Sequence, residues 1–280
     1  MSQWVDHDGD LRPADEPALR LENRAFHFGD GLFESIRVVG GKARFLDAHW
    51  ARLLTGAELL RIGLPRGMDR PRFEEAIHAV VARSAVQSAR VRFTLYRGGG
   101  GYYRPERDQG AYAIEVVPLE APTYALNAQG LHVDIWPEMR KPVNALSRHK
   151  TLNCLHYIMA SIWSRERGLD DCLLQNDRGN IIESSAGNLF IVSNGVLYTP
   201  SLADGCLGGV MRAQVINLAI ANGIKIYECS LNPQNLLAAD ELFFTNAIQG
   251  VRWAGAYRTK RYAHKVAGAI TELLVAAMAN

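Results

Sequence analysis

The chain has 280 residues, of which 48% are hydrophobic and 21% charged, and its 31 basic and 29 acidic side chains leave a net charge of +2. This composition is typical of a globular protein with ample core-forming material, and it lacks the basic excess that nucleic-acid binding requires. No apolar run reaches the roughly 18 residues of a membrane span. The opening MSQWVDHDGDLRPADE is too polar for a signal peptide. We therefore expect a cytoplasmic protein with no nucleic-acid or membrane partner.

Cysteine and lysine are both sparse, and their positions are informative. The cysteines lie far apart, without a CxxC pair or a histidine at ligand spacing, so we expect reduced thiols and no metal site. Arginine supplies most of the positive charge. The six lysines are Lys42, Lys141, Lys150, Lys225, Lys260 and Lys265. A lysine inside an ordered apolar segment of this chain is therefore a candidate for chemistry.

The first third of the chain alternates turns, strands and helices. Asp8-Gly9 and Gly40-Gly41 are turn signals. The predicted strands are 4–8, 11–12, 31–39, 43–46, 91–96 and 111–117. The predicted helices run from Asp47, a possible N-cap, to about Ile62, and from Pro71 to Ala85. The Gly98–Gly101 cluster is predicted to be a flexible loop on the substrate side.

Residues 118–128 contain two prolines and no periodicity, which indicates a linker. Beyond it, strands are predicted at 131–136, 171–175, 180–183, 188–192, 196–199, 225–229 and 241–245, with helices at 151–167, 209–221 and 263–277. The pattern predicts two α+β domains. We place them at residues 1–118 and 129–280, joined by residues 119–128, with Lys150 in the second domain.

Four segments carry residue types that suit chemistry, although each alone also has an ordinary structural interpretation. The first is the glycine-flanked turn and strand FGDGLFESIR at residues 28–37. Lys150 follows two cationic neighbours and precedes an apolar helix, and both conditions lower the pKa of a lysine. Glu183 lies between apolar strands, where a carboxylate needs a partner. The glycine-rich turn before Val210 opens a helix, whose amides can bind an anion.

Together and in this order, these segments resemble the fold-type-IV (class IV) pyridoxal-phosphate enzymes. That family includes branched-chain and D-amino-acid aminotransferases and aminodeoxychorismate lyases. The matching motifs are FGDGLFE, KTLN at Lys150, ESSAGNLF at Glu183, and TPSLADGCLGGVMR. The resemblance implies a small N-terminal α/β domain and a larger C-terminal β-barrel-like α/β domain that carries the cofactor lysine. It also implies pyridoxal 5'-phosphate as cofactor.

The resemblance also implies roles for individual residues. Lys150 resembles the lysine that forms the internal aldimine, and Glu183 the carboxylate that keeps the pyridine nitrogen protonated. Arg52 resembles the phosphate-binding arginine of the family. The remaining cofactor-binding candidates are Asn188, Leu207, Val210, Met211, Asn246 and Ala247. Two positions depart from the aminotransferase pattern, since Met211 replaces a common threonine and Leu155 a common tyrosine.

The reaction is predicted to be transfer of an amino group between an amino acid and a 2-oxo acid. Release of pyruvate and 4-aminobenzoate from aminodeoxychorismate is the alternative within the family, and a non-enzymatic binding module is the alternative outside it. Glu34 favours transamination, whereas Phe244–Val251 and Met211 are more lyase-like. The substrate-binding candidates are Phe33, Arg37, Arg92, Arg97 and Arg104, because a guanidinium suits a carboxylate. Aromatic residues on the first domain's loops predict a homodimer.

Overall fold

The computed structural model describes residues 4–16 and 19–279. These residues form two compact units. The first contains the chain up to Thr123 together with His149–Asn153, and the second contains Tyr124–Arg148 and the chain from Cys154 onward. The division at Thr123 lies inside the predicted linker. The placement of Lys150 differs from the prediction, because the short segment around it packs with the first unit.

The described residues of the first unit form one antiparallel sheet in the order β2-β1-β6-β5-β3-β4. Its strands are β1 (Trp4–His7), β2 (Asp10–Pro13), β3 (Gly31–Val39), β4 (Lys42–Ala43), β5 (Ser88–Arg97) and β6 (Gly110–Pro118). Its helices are α1 (Arg24–Phe28), α2 (Leu46–Leu60) and α3 (Arg70–Arg83). Strand β3 lies between β5 and the short edge strand β4, and it is buried along nearly its whole length although it carries Glu34 and Arg37.

Helices α2 and α3 bury their apolar stripes in the core of the first unit. Leu53 of α2 and Phe73 and Ile77 of α3 pack in one cluster with Ile36 and Phe93 of the sheet. The Asp69 side chain caps α3 by accepting a hydrogen bond from the Arg72 amide at 2.9 Å. Helix α2 lacks the predicted Asp47 cap, because it begins one residue earlier, after a residue in the left-handed conformation.

The second unit is built on a larger mixed sheet. The strands described are β7 (Leu131–Ile135), β8 (Asp171–Gln175), β9 (Ile181–Ser184), β10 (Asn188–Ser193), β11 (Val196–Pro200), β12 (Ile226–Cys229), β13 (Glu241–Asn246), β14 (Gly250–Tyr257) and β15 (Lys260–Arg261). The helices are α4 (Leu155–Glu166), α5 (Val210–Ala221), α6 (Pro233–Ala238) and α7 (Lys265–Ala279). Strands β10, β13, β14, β7, β8 and β9 follow one another in that order, and β9 pairs back onto β10. The predicted barrel-like α+β fold is confirmed.

Ring closure occurs at a single residue pair, in which Glu183 of β9 faces Asn188 of β10. Two candidate residues that are close in sequence therefore lie on adjacent strands where the barrel closes. Helix α4 begins at Leu155, four residues later than predicted. The difference has a physical cause, because residues 150–152 are held against β3 by a bridge between Thr151 and Leu32 and by two backbone hydrogen bonds.

Candidate functional site

The segment that carries Lys150 is held by backbone hydrogen bonds to β3. The Phe33 amide donates to the Lys150 carbonyl at 2.9 Å, and the Leu152 amide donates to the Gly31 carbonyl at 2.9 Å. A Cβ atom at Gly31 would lie 2.5 Å from the Leu95 carbonyl oxygen. The second glycine of the FGDG motif is therefore needed for close strand packing rather than for a turn.

The Lys150 amine lies over an aromatic ring that it shares with an arginine. Lys150 Nζ is 4.2 Å from the centroid of the Phe33 ring, and the guanidinium carbon of Arg92 is 3.8 Å from the same centroid. Both are cation–π distances. Phe33 is buried. The Phe33 ring is thus in contact with both an amine and a guanidinium, and the guanidinium is a group that suits a carboxylate.

Glu34, the next residue of β3, is the centre of a buried charge cluster. Both carboxylate oxygens of Glu34 accept hydrogen bonds from Arg52, and the one to Oε1 comes from Arg52 Nε at 2.9 Å. The carboxylate also contacts His49 Nδ1 at 2.6 Å. Burial alone would raise the pKa of Glu34, but the Arg52 charge and the His49 contact outweigh it and lower the pKa to about 2. The carboxylate is therefore ionised, and Arg52 is oriented by a bidentate ion pair.

His49 is wholly buried, and its surroundings favour the neutral ring. Burial lowers its pKa, and the positive charges of Arg52 and Lys150 lower it further, against the opposing effect of Glu34. With Nδ1 against the Glu34 carboxylate, the neutral tautomer carries its proton there. Among the described residues, His49 Nε2 has no hydrogen-bond partner.

Two of the predicted substrate arginines, Arg37 and Arg97, donate hydrogen bonds to backbone carbonyls. The Arg37 guanidinium donates to the carbonyls of Ala121 and Thr123. Arg97 pairs with Asp30 and Asp108 at 3.0 and 2.6 Å and also donates to two backbone carbonyls. Both side chains are buried. Arg104 lies in an exposed part of the loop.

In the second unit, Glu183 is buried and accepts three hydrogen bonds. Its Oε1 receives them from Lys141 Nζ at 2.6 Å and from the Tyr157 hydroxyl at 3.0 Å, and its Oε2 from the Leu207 amide at 2.8 Å. Burial and the Glu183 charge raise the pKa of Tyr157, so its phenol is neutral and can donate. Glu183 and Leu207 are predicted site residues, whereas neither side-chain partner, Lys141 or Tyr157, is predicted from the sequence. The rarity of lysine was the available signal for Lys141.

The N-terminus of helix α5 lies beside Asn188. The Asn188 side-chain amide donates to the Leu207 carbonyl at 2.7 Å. A Cβ at Gly209 would come within 1.9 Å of Asn188 Oδ1, so only glycine fits. Helix α5 then begins at Val210, and within the part of the chain that the structure describes it has no side-chain cap. Its first amides, including those of Val210 and Met211, are therefore suited to an anion.

Asn246 and Ala247 form a tight loop after β13. Asn246 Oδ1 accepts from the amides of Ile248 and Gln249 at 3.0 and 2.8 Å, and the Tyr124 hydroxyl donates to the Ala247 carbonyl at 2.6 Å. These contacts fix the loop without using the Ala247 amide. Across residues 4–16 and 19–279, no cluster of histidine, cysteine, aspartate or glutamate could hold a metal, and no helix is long and apolar enough to cross a membrane.

Comparison with known proteins identifies the family of this chain. The family profile described as amino-transferase class IV matches residues 31–255. A Methanocaldococcus jannaschii protein, provisionally named a branched-chain-amino-acid aminotransferase, is 32% identical over 219 residues, which are 78% of this chain and 75% of that protein. The aminodeoxychorismate lyase of Vibrio harveyi is 26% identical, over 82% of this chain and 84% of its own. The crystal structure of a branched-chain aminotransferase from Thermoproteus uzoniensis superposes with a TM-score of 0.88 at 26% identity, covering 97% of this chain and 93% of its own.

The chain therefore belongs to the class IV aminotransferase family, and it has the fold of that family. The resemblance noted in its motifs is confirmed. Membership implies pyridoxal phosphate as cofactor and amino-group transfer as the type of chemistry, with lyases among the relatives. The alternative of a non-enzymatic binding module is not supported.

Proposed function

We propose that this protein is a pyridoxal-phosphate-dependent transaminase in which Lys150 is the reactive amine and Arg92 binds the substrate carboxylate. The observation that carries the proposal is the placement of both cations on the Phe33 ring, at 4.2 and 3.8 Å from its centroid. The Arg92 guanidinium suits the carboxylate of a 2-amino acid, and the Lys150 amine is the group proposed to act at the α-carbon of the same substrate.

The residues present suit the cofactor. When bound, pyridoxal phosphate would supply an aldehyde that condenses with amines and a ring that accepts electron density from the substrate α-carbon. Glu183 Oε2 accepts a single hydrogen bond, from the Leu207 amide, and so retains a lone pair for a ring N–H. Arg52, oriented by Glu34, and the amides of Val210 and Met211 are the proposed phosphate ligands. Asn188 supports that turn, and Asn246 and Ala247 complete the proposed cofactor-binding set.

Lys150, Arg92 and Phe33 are the residues proposed to act directly on the substrate. Lys150 Nζ would take the proton from the α-carbon of the amino donor and, in the second half of the reaction, would give a proton to the α-carbon of the amino acid formed from the 2-oxo acid. Arg92 would fix the carboxylate, and the apolar Phe33 ring would restrict water near the Lys150 amine. Arg37 and Arg97 are less suited to bind substrate, because both are buried and hold backbone or carboxylate partners. Arg92 contacts Thr94 and Glu115 at 3.3 and 3.9 Å, but its side chain is 31% exposed. Arg104 remains a second candidate for a substrate carboxylate.

The experiment that tests this proposal measures whether amino acids are converted to their 2-oxo acids. Protein saturated with pyridoxal 5'-phosphate is mixed with single D- and L-amino acids, and loss of the visible cofactor band together with formation of the matching 2-oxo acid is recorded. Borohydride treatment before the mixing should attach the cofactor permanently to the peptide that contains Lys150, as read by mass spectrometry. If no amino acid is converted, transamination is refuted.

The lyase alternative rests on the loop after β13 and on Met211, and it is tested separately. Pyruvate released from aminodeoxychorismate in the absence of any 2-oxo acid would establish it. Glu34 anchors Arg52 through two hydrogen bonds, and this role suits transamination and lyase chemistry equally. Glu34 therefore does not discriminate between the two reactions. The amino-acid panel and the pyruvate assay decide between them.

A homodimer and a cytoplasmic location remain part of the proposal. The dimer is supported by aromatic side chains on the surface of the first unit, because Phe26, Tyr102 and Tyr103 are 73%, 86% and 92% exposed. Exposed aromatic clusters are typical of interfaces. Phe33 is not part of this surface, because it is buried within the first unit.

A further inference from the structure

Lys141 is a buried lysine whose charge is directed at a proposed cofactor-binding carboxylate. Its ammonium group makes three hydrogen bonds, to Glu183 Oε1 at 2.6 Å, the Tyr157 hydroxyl at 2.9 Å and the Ser147 carbonyl at 2.9 Å. A lysine ammonium has three hydrogens. Every donor of Lys141 is therefore used, and the side chain has one defined position.

The backbone brings Lys141 to this position from a distant part of the chain. The Lys141 amide donates to the Gln175 carbonyl at 2.9 Å, and the residue forms a parallel bridge with Asn176, just beyond β8. Strand β9, which carries Glu183, pairs with β8. The ion pair therefore spans adjacent parts of the barrel, 42 residues apart in sequence.

The contacts leave the two oxygens of Glu183 in different states. Oε1 has two donors, Lys141 and Tyr157, which fill its acceptor capacity, whereas Oε2 has one donor, the Leu207 amide. An incoming N–H group can therefore be accepted at Oε2 alone. The Lys141 charge also balances the buried carboxylate, which would otherwise carry a large desolvation cost.

We propose that Lys141 is a positioning residue for the cofactor, acting through Glu183. It reserves Oε2 for the ring nitrogen, and it is the counter-ion of Glu183 in the apoprotein. A protonated ring nitrogen competes with Lys141 for the same carboxylate, so Lys141 moderates how strongly Glu183 binds the ring. This inference rests on the proposed cofactor role of Glu183.

The competition has a thermodynamic consequence that a purely structural ion pair lacks. Without the Lys141 charge, the buried Glu183 carboxylate has no cation in the apoprotein, but it gains one when a protonated ring binds. The loss of Lys141 should therefore destabilise the apoprotein more than the holoprotein. Because ligand-induced stabilisation reports affinity for the folded state, the variant should gain more from cofactor than the wild type does.

The experiment compares melting temperatures of wild type and Lys141→Met, each as apoprotein, with pyridoxal 5'-phosphate, and with 1-deazapyridoxal 5'-phosphate. The deaza compound has carbon in place of the ring nitrogen and so cannot donate to Glu183. We expect an apoprotein Tm lower by about 5–10 °C, and a rise with pyridoxal 5'-phosphate that exceeds that of wild type by about 3 °C or more. With the deaza compound, the rises in the two proteins should be equal. Lys141→Arg, which keeps the charge, should show the wild-type rise.

Equal rises with pyridoxal 5'-phosphate in wild type and Lys141→Met would overturn the inference and leave Lys141 as a structural residue. If Lys141→Met does not fold, Glu183→Gln is compared with Glu183→Gln/Lys141→Met. The double variant should then be more stable as apoprotein than Glu183→Gln alone, because it no longer buries an unbalanced cation. A double variant that is less stable than Glu183→Gln would also overturn the inference. A failure of the proposed function is distinguishable, since wild type would then show neither a rise with cofactor nor borohydride attachment at Lys150.

Discussion

Replacing Glu34 with glutamine should expose how much of the stability of the first unit depends on one buried carboxylate. Glu34 is 1% exposed, and its contacts with Arg52 and His49 lower its pKa from 4.5 to about 2. At about 1.4 kcal/mol per pKa unit, this difference corresponds to about 3 kcal/mol of folding free energy. Glutamine keeps the shape and loses the charge, so Glu34→Gln should lower the free energy of unfolding at pH 7 by about that amount.

The sign of the pH dependence follows from the direction of the shift. Because the pKa of Glu34 is lower in the folded state, its contribution is complete above the unfolded value of about 4.5 and is lost as the pH falls towards 2. By pH 3, roughly half of the contribution should remain. The difference between wild type and Glu34→Gln should therefore shrink from about 3 kcal/mol at pH 7 to about 1.5 kcal/mol at pH 3.

The assay is urea unfolding followed by tryptophan fluorescence at pH 7, 5, 4 and 3. Glu75→Gln is the matched control, because Glu75 pairs with Arg72 on the surface of α3 and is 67% exposed. Such surface pairs contribute about 0–1 kcal/mol, so this variant should follow wild type at every pH. If Glu34→Gln and wild type lose stability in parallel between pH 5 and 3, the buried ion-pair argument is refuted.

The other predictions concern the proposed site. Lys150→Ala should abolish turnover by several orders of magnitude and remove the borohydride-stable attachment, with the Tm of the apoprotein near that of wild type; appreciable residual turnover would contradict the assignment. Glu183→Gln should retain cofactor but slow α-proton removal in a single turnover, because a neutral partner no longer favours the protonated ring; unchanged rates with a lower Tm would indicate a structural ion pair. Arg92→Gln should raise KM for the amino acid about 10- to 100-fold, from the loss of a charged hydrogen bond, whereas Arg104→Gln should change it little, and the reverse order would reassign the carboxylate ligand. Light scattering should show a dimer, and a fully active monomer at assay concentration would refute that proposal.

Much of this protein was readable from local sequence signals. The glycine pair at 40–41 adopts the left-handed conformation that its turn requires, with φ of 59° and 74°. The helix predicted from Pro71 to Ala85 is α3 at Arg70–Arg83, because a cap and a proline near its start are local signals. The order of four motifs identified the family. The turn and the helix involve residues a few positions apart, whose geometry depends on backbone preference, whereas the motifs identify the family through their order along the chain.

Other features depended on residues that are distant in sequence, and only the tertiary structure decided them. Sequence alone offered several equivalent arginines as substrate ligands. The antiparallel pairing of β3 with β5 puts Arg92 over Phe33, whereas the Arg97 guanidinium is committed to other partners. Lys141 gave no local sign that it would meet Glu183, since that contact requires the bridge of Lys141 to Asn176 and the pairing of β8 with β9. Burial makes this contact important, because a charge removed from water is stabilised only by a nearby hydrogen-bonding or oppositely charged group. The tertiary fold determines which such group is close enough.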